Sequence, residues 1–204
     1  MKVKKNNRIR NLDEQFDPPT VLMIRSLQEK ISSIGFVGGV GRIYAKELIN
    51  SLESGLFLAS LHLSSSLLEV FVRDLLILGY AKDSNTEKEF NNKLNIVEKY
   101  IEDNKKPLWS FSKMADELHK HNVINELELK KLKLFYNTTR TPILHGLSKR
   151  FMRFHGEKLI SEYLDPKLYR GHSFEEEIEN NSLKWIGFAV RFMEKHQIYK
   201  SNKK

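Results

Sequence analysis

The chain has 204 residues, which is enough for one well-buried domain and too few for two comfortable ones. Hydrophobic residues make up 40% and charged residues 29%, which indicates a soluble globular protein, and the lack of cysteine excludes disulfides, thiolate metal sites and cysteine nucleophiles. The formal net charge of +8 favours polyanionic partners, nucleic acid first and acidic membranes second, although a lysine-rich surface often has no such meaning.

The first 17 residues are basic but are not followed by an apolar segment, so we expect no signal peptide. The most apolar stretch, residues 56–80, is interrupted by His62, Glu69, Arg73 and Asp74 and is a poor membrane span. We therefore expect a cytoplasmic protein with no membrane partner.

In chain order, we expect a loose basic arm over residues 1–19 and a single all-α domain over residues 20–204. Apolar residues at 21, 24, 27, 31 and 34 predict an amphipathic helix that ends at Gly35. The next segment, "GFVGGVGR", holds four of the ten glycines. It fits neither the dinucleotide-binding fingerprint nor the P-loop, so we interpret it as a flexible turn.

Residues 52–79 give the strongest helical pattern, apolar on almost every face, and predict a central helix. His62, Ser66, Glu69 and Arg73 form one polar line along it, at about 100° per residue. This line is either a self-satisfied ion pair between Glu69 and Arg73 or one wall of a polar site.

Four more helices are predicted, and no strand pattern of any length is present. The helices cover residues 86–103, 110–122, 124–140 and 174–196, the last with Ser173 as its N-cap. The sequence therefore predicts an all-α bundle with mostly antiparallel neighbours.

The joint at "NTTRTPILHG" is the strongest candidate for chemistry. Pro142 should stop or kink the preceding helix near Arg140 and begin a new helix with Thr141 as its N-cap. The free amides at such a helix start bind anions, phosphate included. Arg140 lies just before this point and His145 about one turn inside the new helix.

The arginine-to-histidine spacing alone is not specific. It recurs at Arg150 and His155 and again at Arg191 and His196. Only the pair Arg140 and His145 has the asparagine-led frame, the helix start and the trailing glycine. The basic stretch that follows supplies Lys149, Arg150 and Arg153 with interleaved phenylalanines, which fits RNA binding or, alternatively, a solvated helix with two core aromatics.

"NTTRTPILHG" after a long helix, with "LASLHLSSSLLEVFVRDLL" upstream, resembles the HEPN family, with the likeness over roughly residues 45–155. The resemblance implies an antiparallel HEPN-like bundle with extra N- and C-terminal segments, in which Arg140 and His145 are the catalytic pair. It also implies supporting polar roles for Asn137, for Thr141, where the family often has asparagine, and for Glu69.

The resemblance further implies a ribonuclease of toxin–antitoxin, abortive-infection or antiviral defence systems, sometimes with an antitoxin partner. The chemistry agrees, because RNA carries its own nucleophile and needs only a base, an acid and positive charge. One histidine cannot be base and acid in the same step, so we expect a homodimer. We expect no cofactor and no metal; the alternative is a silent module that binds RNA, nucleotide or a protein partner.

Overall fold

The computed structural model describes residues 11–81, 84–102, 110–140 and 172–197, with the backbone alone at 97, 98, 100–102, 138, 140 and 172–180. The described part is all-helical and contains no strand, which confirms the predicted fold class at that level. Its elements are α1 (Leu12–Gln15), α2 (Pro18–Ser33), α3 (Gly39–Glu53), α4 (Phe57–Ala81), α5 (Glu87–Glu102), α6 (Phe111–Lys120), α7 (Glu126–Phe135), a π-helical turn (Tyr136–Arg140) and α8 (His172–His196).

Side-chain contacts join neighbouring helices. Gln28 of α2 donates to the backbone oxygen of Ile49 and to the carboxylate of Glu53 on α3. Asp116 of α6 pairs with Lys133 of α7, and Phe111, at the start of α6, stacks on Tyr136, which follows α7. Because residue numbers fall along α6 as they rise along α7, these two helices are antiparallel.

α4 is the central helix, as its apolar sequence predicts. It packs against α3, α5, α6, α8 and the π-helical turn. Its buried leucines and its phenylalanines join the same core as residues of α2, α3 and α8. Phe71 lies edge-on to Phe36 and to Phe192, with ring centroids 6.5 and 6.4 Å apart, and so ties the amino-terminal helices to α8. Removing apolar surface of this extent from water is the main stabilising contribution to such a bundle.

The predicted helix over residues 52–79 corresponds to α4, which begins five residues later than predicted. α3 ends at Glu53 and α4 begins at Phe57, with a turn between them in which Gly55 has a φ of +67°. The second half of the predicted glycine-rich turn is helical, since Gly39 and Gly41 lie within α3. The turn is confined to the residues before Gly39.

The predicted arm over residues 1–19 differs from the structure at its end. Leu12 of α1 is buried, and the ring of Phe16 lies 5.1 Å from that of Phe57. α2 starts at Pro18, with Asp17 as the N-cap that accepts from the backbone N–H of Thr20, so the domain begins before Thr20. Residues 1–10 lie outside the described residues.

Other predicted helices are present with shifted ends. α2 and its C-cap Ile34 bury all five apolar positions that the periodicity marked, from Val21 to Ile34. α5 is largely exposed, since Leu94 is only half-buried and Ile96 is 67% exposed. Ser173 is not an N-cap, because α8 already includes His172.

Candidate functional site

The described structure contains only part of the predicted site. The backbone of Arg140 forms the last residue of the π-helical turn, and Asn137 lies exposed within the same turn. The other predicted residues of the motif and of the basic stretch lie outside the described residues: Thr141, His145, Lys149, Arg150 and Arg153. Neither the Arg140–His145 pairing nor a dimer interface is therefore described.

α7, the helix that leads to the motif, has a well-capped amino-terminal end. Asn125 accepts from the backbone N–H of Glu128, and the Glu128 carboxylate accepts from the backbone N–H of Asn125, which makes a complete capping box for α7. Regular α-helix then ends at Phe135, five residues before Arg140. The expected end or kink at Pro142 stays a prediction, because Pro142 lies outside the described residues.

The π-helical turn at Tyr136–Arg140 is held on two sides. The ring of Tyr136 stacks on that of Phe111 at 5.0 Å with an interplanar angle of 4°. The turn also packs against α4, the helix that carries Glu69. A π-helical turn places one extra residue in the turn, which shifts the side chains after it around the helix axis. The orientation of Arg140 therefore depends on this turn.

Thr139 is the most unusual residue of the turn. Its side chain is fully buried, and its hydroxyl has no hydrogen-bond partner among the described residues. Three other buried hydroxyls also lack a partner among the described residues: those of Ser65 on α4, Ser84 after α4 and Ser182 on α8. Buried polar atoms are almost always paired, so each of these hydroxyls calls for an explanation.

Two contacts give the direction of α7 relative to α8. Glu128 contacts His196, and seven residues further along α7 the ring of Phe135 lies 5.7 Å from that of Phe188. Residue numbers rise along α7 as they fall along α8, so the two helices run antiparallel.

The polar line predicted on α4 lies where this helix reaches the surface. His62 is exposed, and Ser66, Glu69 and Arg73 are half-buried. Glu69 and Arg73 each have an interaction partner. The line therefore borders the bundle rather than crossing its interior. The supporting role that the resemblance implies for Glu69 stays a prediction, because the Arg140 side chain lies outside the described residues.

Glu128 links the start of α7 to the end of α8. Its carboxylate accepts from Lys195 and lies 2.9 Å from Nε2 of His196. Burial alone would raise the pKa of Glu128, but the hydrogen bonds from Lys195, from the Asn125 backbone and from His196 outweigh burial and lower the pKa to about 2. The carboxylate is thus ionised at neutral pH and holds the two helices in register.

The described ranges contain neither a candidate metal site nor a candidate membrane span. No group of three or more His, Asp or Glu side chains there could hold a metal ion. No described helix has both the length and the apolar character needed to cross a membrane.

Comparisons with known proteins add no assignment. No protein-family model, no curated protein and no solved structure matches the chain. The function must therefore be inferred from the residues of the site.

The sequence did not single out Thr139 as a site residue. "NTTR" contains two adjacent threonines, and nothing in the sequence marks Thr139 as the one with a fully buried side chain. Helical periodicity offered a clue, since Thr139 lies four residues after Phe135, which is itself buried.

Proposed function

We propose that this protein is a metal-independent endoribonuclease of the HEPN type, a toxin or phage-defence effector in which Arg140 and His145 act at a dimer interface. The observation that carries the proposal is the π-helical turn at Tyr136–Arg140, which ends at the first residue of the motif and packs on α4. Such turns occur frequently at functional sites. The all-helical fold and the net charge of +8 support the same proposal.

In this proposal Arg140 binds the phosphate that is attacked. Its guanidinium offers parallel N–H donors that match two phosphate oxygens, and its charge stabilises the phosphorane as negative charge grows. Glu69, on the helix that contacts the turn, orients the guanidinium, while Asn137 and Thr141 supply neutral polar contacts. Lys149, Arg150 and Arg153 neutralise neighbouring phosphates of the RNA.

The two histidines of a dimer complete the reaction. His145 takes the proton from the 2′-OH, and the 2′ oxygen attacks the adjacent phosphorus. The bond from phosphorus to the 5′ oxygen breaks, and the second copy of His145, protonated, gives its proton to that oxygen. The products are a 2′,3′-cyclic phosphate and a 5′-OH. DNA lacks the nucleophile and is not cut.

Purified protein incubated with mixed RNA tests the proposal. We expect cleavage that survives EDTA, leaves 2′,3′-cyclic phosphate ends and spares DNA. His145→Ala should abolish it. His155→Ala is the matched control, because it removes a histidine with the same spacing from an arginine. Arg140→Lys should lower the cleavage rate by about tenfold or more, since the lysine ammonium cannot replace the paired N–H donors of the guanidinium.

Two outcomes would change the assignment. Cleavage lost in EDTA, or equal cleavage of DNA, would show that the mechanism is wrong. Folded protein that binds RNA and cuts none would favour the alternative function, a catalytically silent HEPN-like module that binds RNA, nucleotide or a protein partner.

A further inference from the structure

A pocket of about 470 Å³ opens between the carboxyl end of α2, the residues that follow it and the part of α3 from Arg42 to Ile49. Its apolar part is formed by Ile31, Ile34, Phe36, Ala45 and Ile49. Ile31 and Ile34 belong to the buried core, so the floor of the pocket is fixed by the packing of α2 against the rest of the bundle. A cavity of this size is in the range that takes one small molecule.

Two cations complete the lining of this pocket. Arg42 and Lys46 are one turn apart on α3 and both are exposed. Neither forms an ion pair or a side-chain hydrogen bond with a described residue. The carboxylate of Glu53, further along the same helix, accepts from Gln28. The pocket therefore joins an apolar floor to positive charge that the described residues do not neutralise.

The position of Arg42 is not explained by the stability of its own helix. It lies in the first turn of α3, where a cation opposes the helix dipole. That turn has no acidic residue, and its N-cap is Gly38, which has no side chain to accept from the free amides. A bound anion near Arg42 would remove both unfavourable features.

We propose that this pocket binds a small molecule that joins an anionic group to an apolar or aromatic body. The body lies on Ile34, Ala45 and Ile49, and the anion pairs with Arg42 and Lys46. The pocket is formed by α2 and α3, and its lining includes no residue of the proposed ribonuclease site. It is therefore a second site, and its occupancy does not depend on the proposed function.

Titration with 8-anilinonaphthalene-1-sulfonate, which has an aromatic body and one sulfonate, tests this site by fluorescence. We expect saturable binding at one site per chain, with displacement by laurate and little displacement by inorganic phosphate, which has no apolar body. The double variant Arg42→Gln/Lys46→Gln should raise the Kd about tenfold or more, because it removes two charge-assisted contacts. Lys131→Gln/Lys184→Gln is the matched control, since it removes two exposed cations from other helices.

A second variant tests the apolar part. Ser32 is exposed at the edge of the pocket, and Ser32→Tyr should obstruct it and lower affinity without removing charge. Circular dichroism melts show whether each variant is folded. The proposal is wrong if wild-type protein binds neither probe, or if the Arg42/Lys46 variant binds as tightly as the control. RNA cleavage is measured on the same samples and should be unchanged, so that the two proposals fail separately.

Discussion

Thr139 is the residue whose surroundings packing alone explains least. A threonine in a regular helix can direct its hydroxyl to a carbonyl one turn earlier, but Thr139 lies in a π-helical turn, where that ladder is interrupted. Its hydroxyl has no described partner although the side chain is fully buried. An unpaired buried hydroxyl reduces stability, so its presence next to Arg140 suggests a role for the site.

Replacing this hydroxyl by a methyl group tests how the unpaired hydroxyl affects stability. We expect Thr139→Val to raise the free energy of unfolding by about 1 kcal/mol, because the change keeps the shape and removes an unpaired polar atom. Urea unfolding measures this. Ser60→Ala is the matched control, since the buried Ser60 hydroxyl donates to that of Ser51 and its loss should destabilise the fold by about 1 kcal/mol. A Thr139→Val variant as unstable as the control would show that the hydroxyl is paired.

Gly55 is the residue whose backbone demands glycine. Its φ is +67°, and an added Cβ would lie 2.9 Å from the ring of Phe16. We expect Gly55→Ala to destabilise the fold by about 1–3 kcal/mol, through both the left-handed conformation and the clash.

Gly55→Ala is measured by thermal or urea unfolding, and Gly79→Ala is the control that should have the opposite effect. Gly79 lies inside α4, and an added Cβ would meet nothing within 4 Å. Gly79→Ala should therefore stabilise by about 0.5–1 kcal/mol, because alanine loses less backbone entropy in a helix. Equal effects of the two substitutions would contradict the strained turn between α3 and α4.

Among the elements, the contact between the start of α7 and the end of α8 is the one most sensitive to pH. The folded pKa of Glu128 is about 2, below its ordinary value, so ionised Glu128 favours the folded state. This contribution is fully present above the unfolded pKa, near pH 4.5, and is lost as the pH falls toward 2.

The corresponding measurement is the unfolding free energy of wild type and Glu128→Gln between pH 7 and pH 2. We expect the variant to be less stable by about 1–3 kcal/mol at pH 7, a figure reduced by the exposure of Lys195, and the difference to shrink toward pH 2. Glu126→Gln, which removes the exposed partner of Lys130, should cost about 0.5 kcal/mol or less. A difference that is constant with pH would exclude Glu128 as the titrating group.

The elements that sequence predicted well are those with an unbroken period. In α2 and its C-cap every marked position from Val21 to Ile34 is buried, since a single apolar face packs on the core. α3 was missed because glycines at 38, 39 and 41 weaken the helical signal. Gly41 lies close to its surroundings, since an added Cβ there would be 3.1 Å from the side chain of Phe36. The break at Gly55 was missed because apolar residues continue on both sides of it.

The candidate site was less accessible to sequence reasoning than the fold. The helix end that Pro142 predicts near Arg140 stays a prediction, because Thr141 and Pro142 lie outside the described residues. No local pattern distinguishes a π-helical turn from an α-helical one, and none shows that Thr139 is buried. The place of Glu69 at the edge of the bundle is set by which helices pack around α4, which periodicity does not determine.

On the scale of the whole molecule, the proposed chemistry requires two copies of the chain. α7, which leads to Arg140, offers a surface where two copies could meet. Leu127 and Leu134 are 60% and 51% exposed and lie seven residues apart, on one face of the helix. Lys130 and Lys131 lie between the two leucines and are also exposed, so this part of α7 presents a mixed apolar and basic surface. A two-fold contact here would bring both copies of the motif toward one axis.

Leu134→Glu tests this arrangement by sedimentation velocity at micromolar concentration. We expect wild-type protein to be a dimer and the variant to shift toward monomer, because a charge would be buried twice across the axis. RNA cleavage should fall together with the dimer fraction, since each active site needs His145 from both copies. Leu22→Glu is the matched control: Leu22 is 67% exposed on α2 and should leave both the dimer and the cleavage rate unchanged. A wild-type monomer that cuts RNA at full rate would refute the two-copy site, and a dimer unaffected by Leu134→Glu would move the interface away from α7.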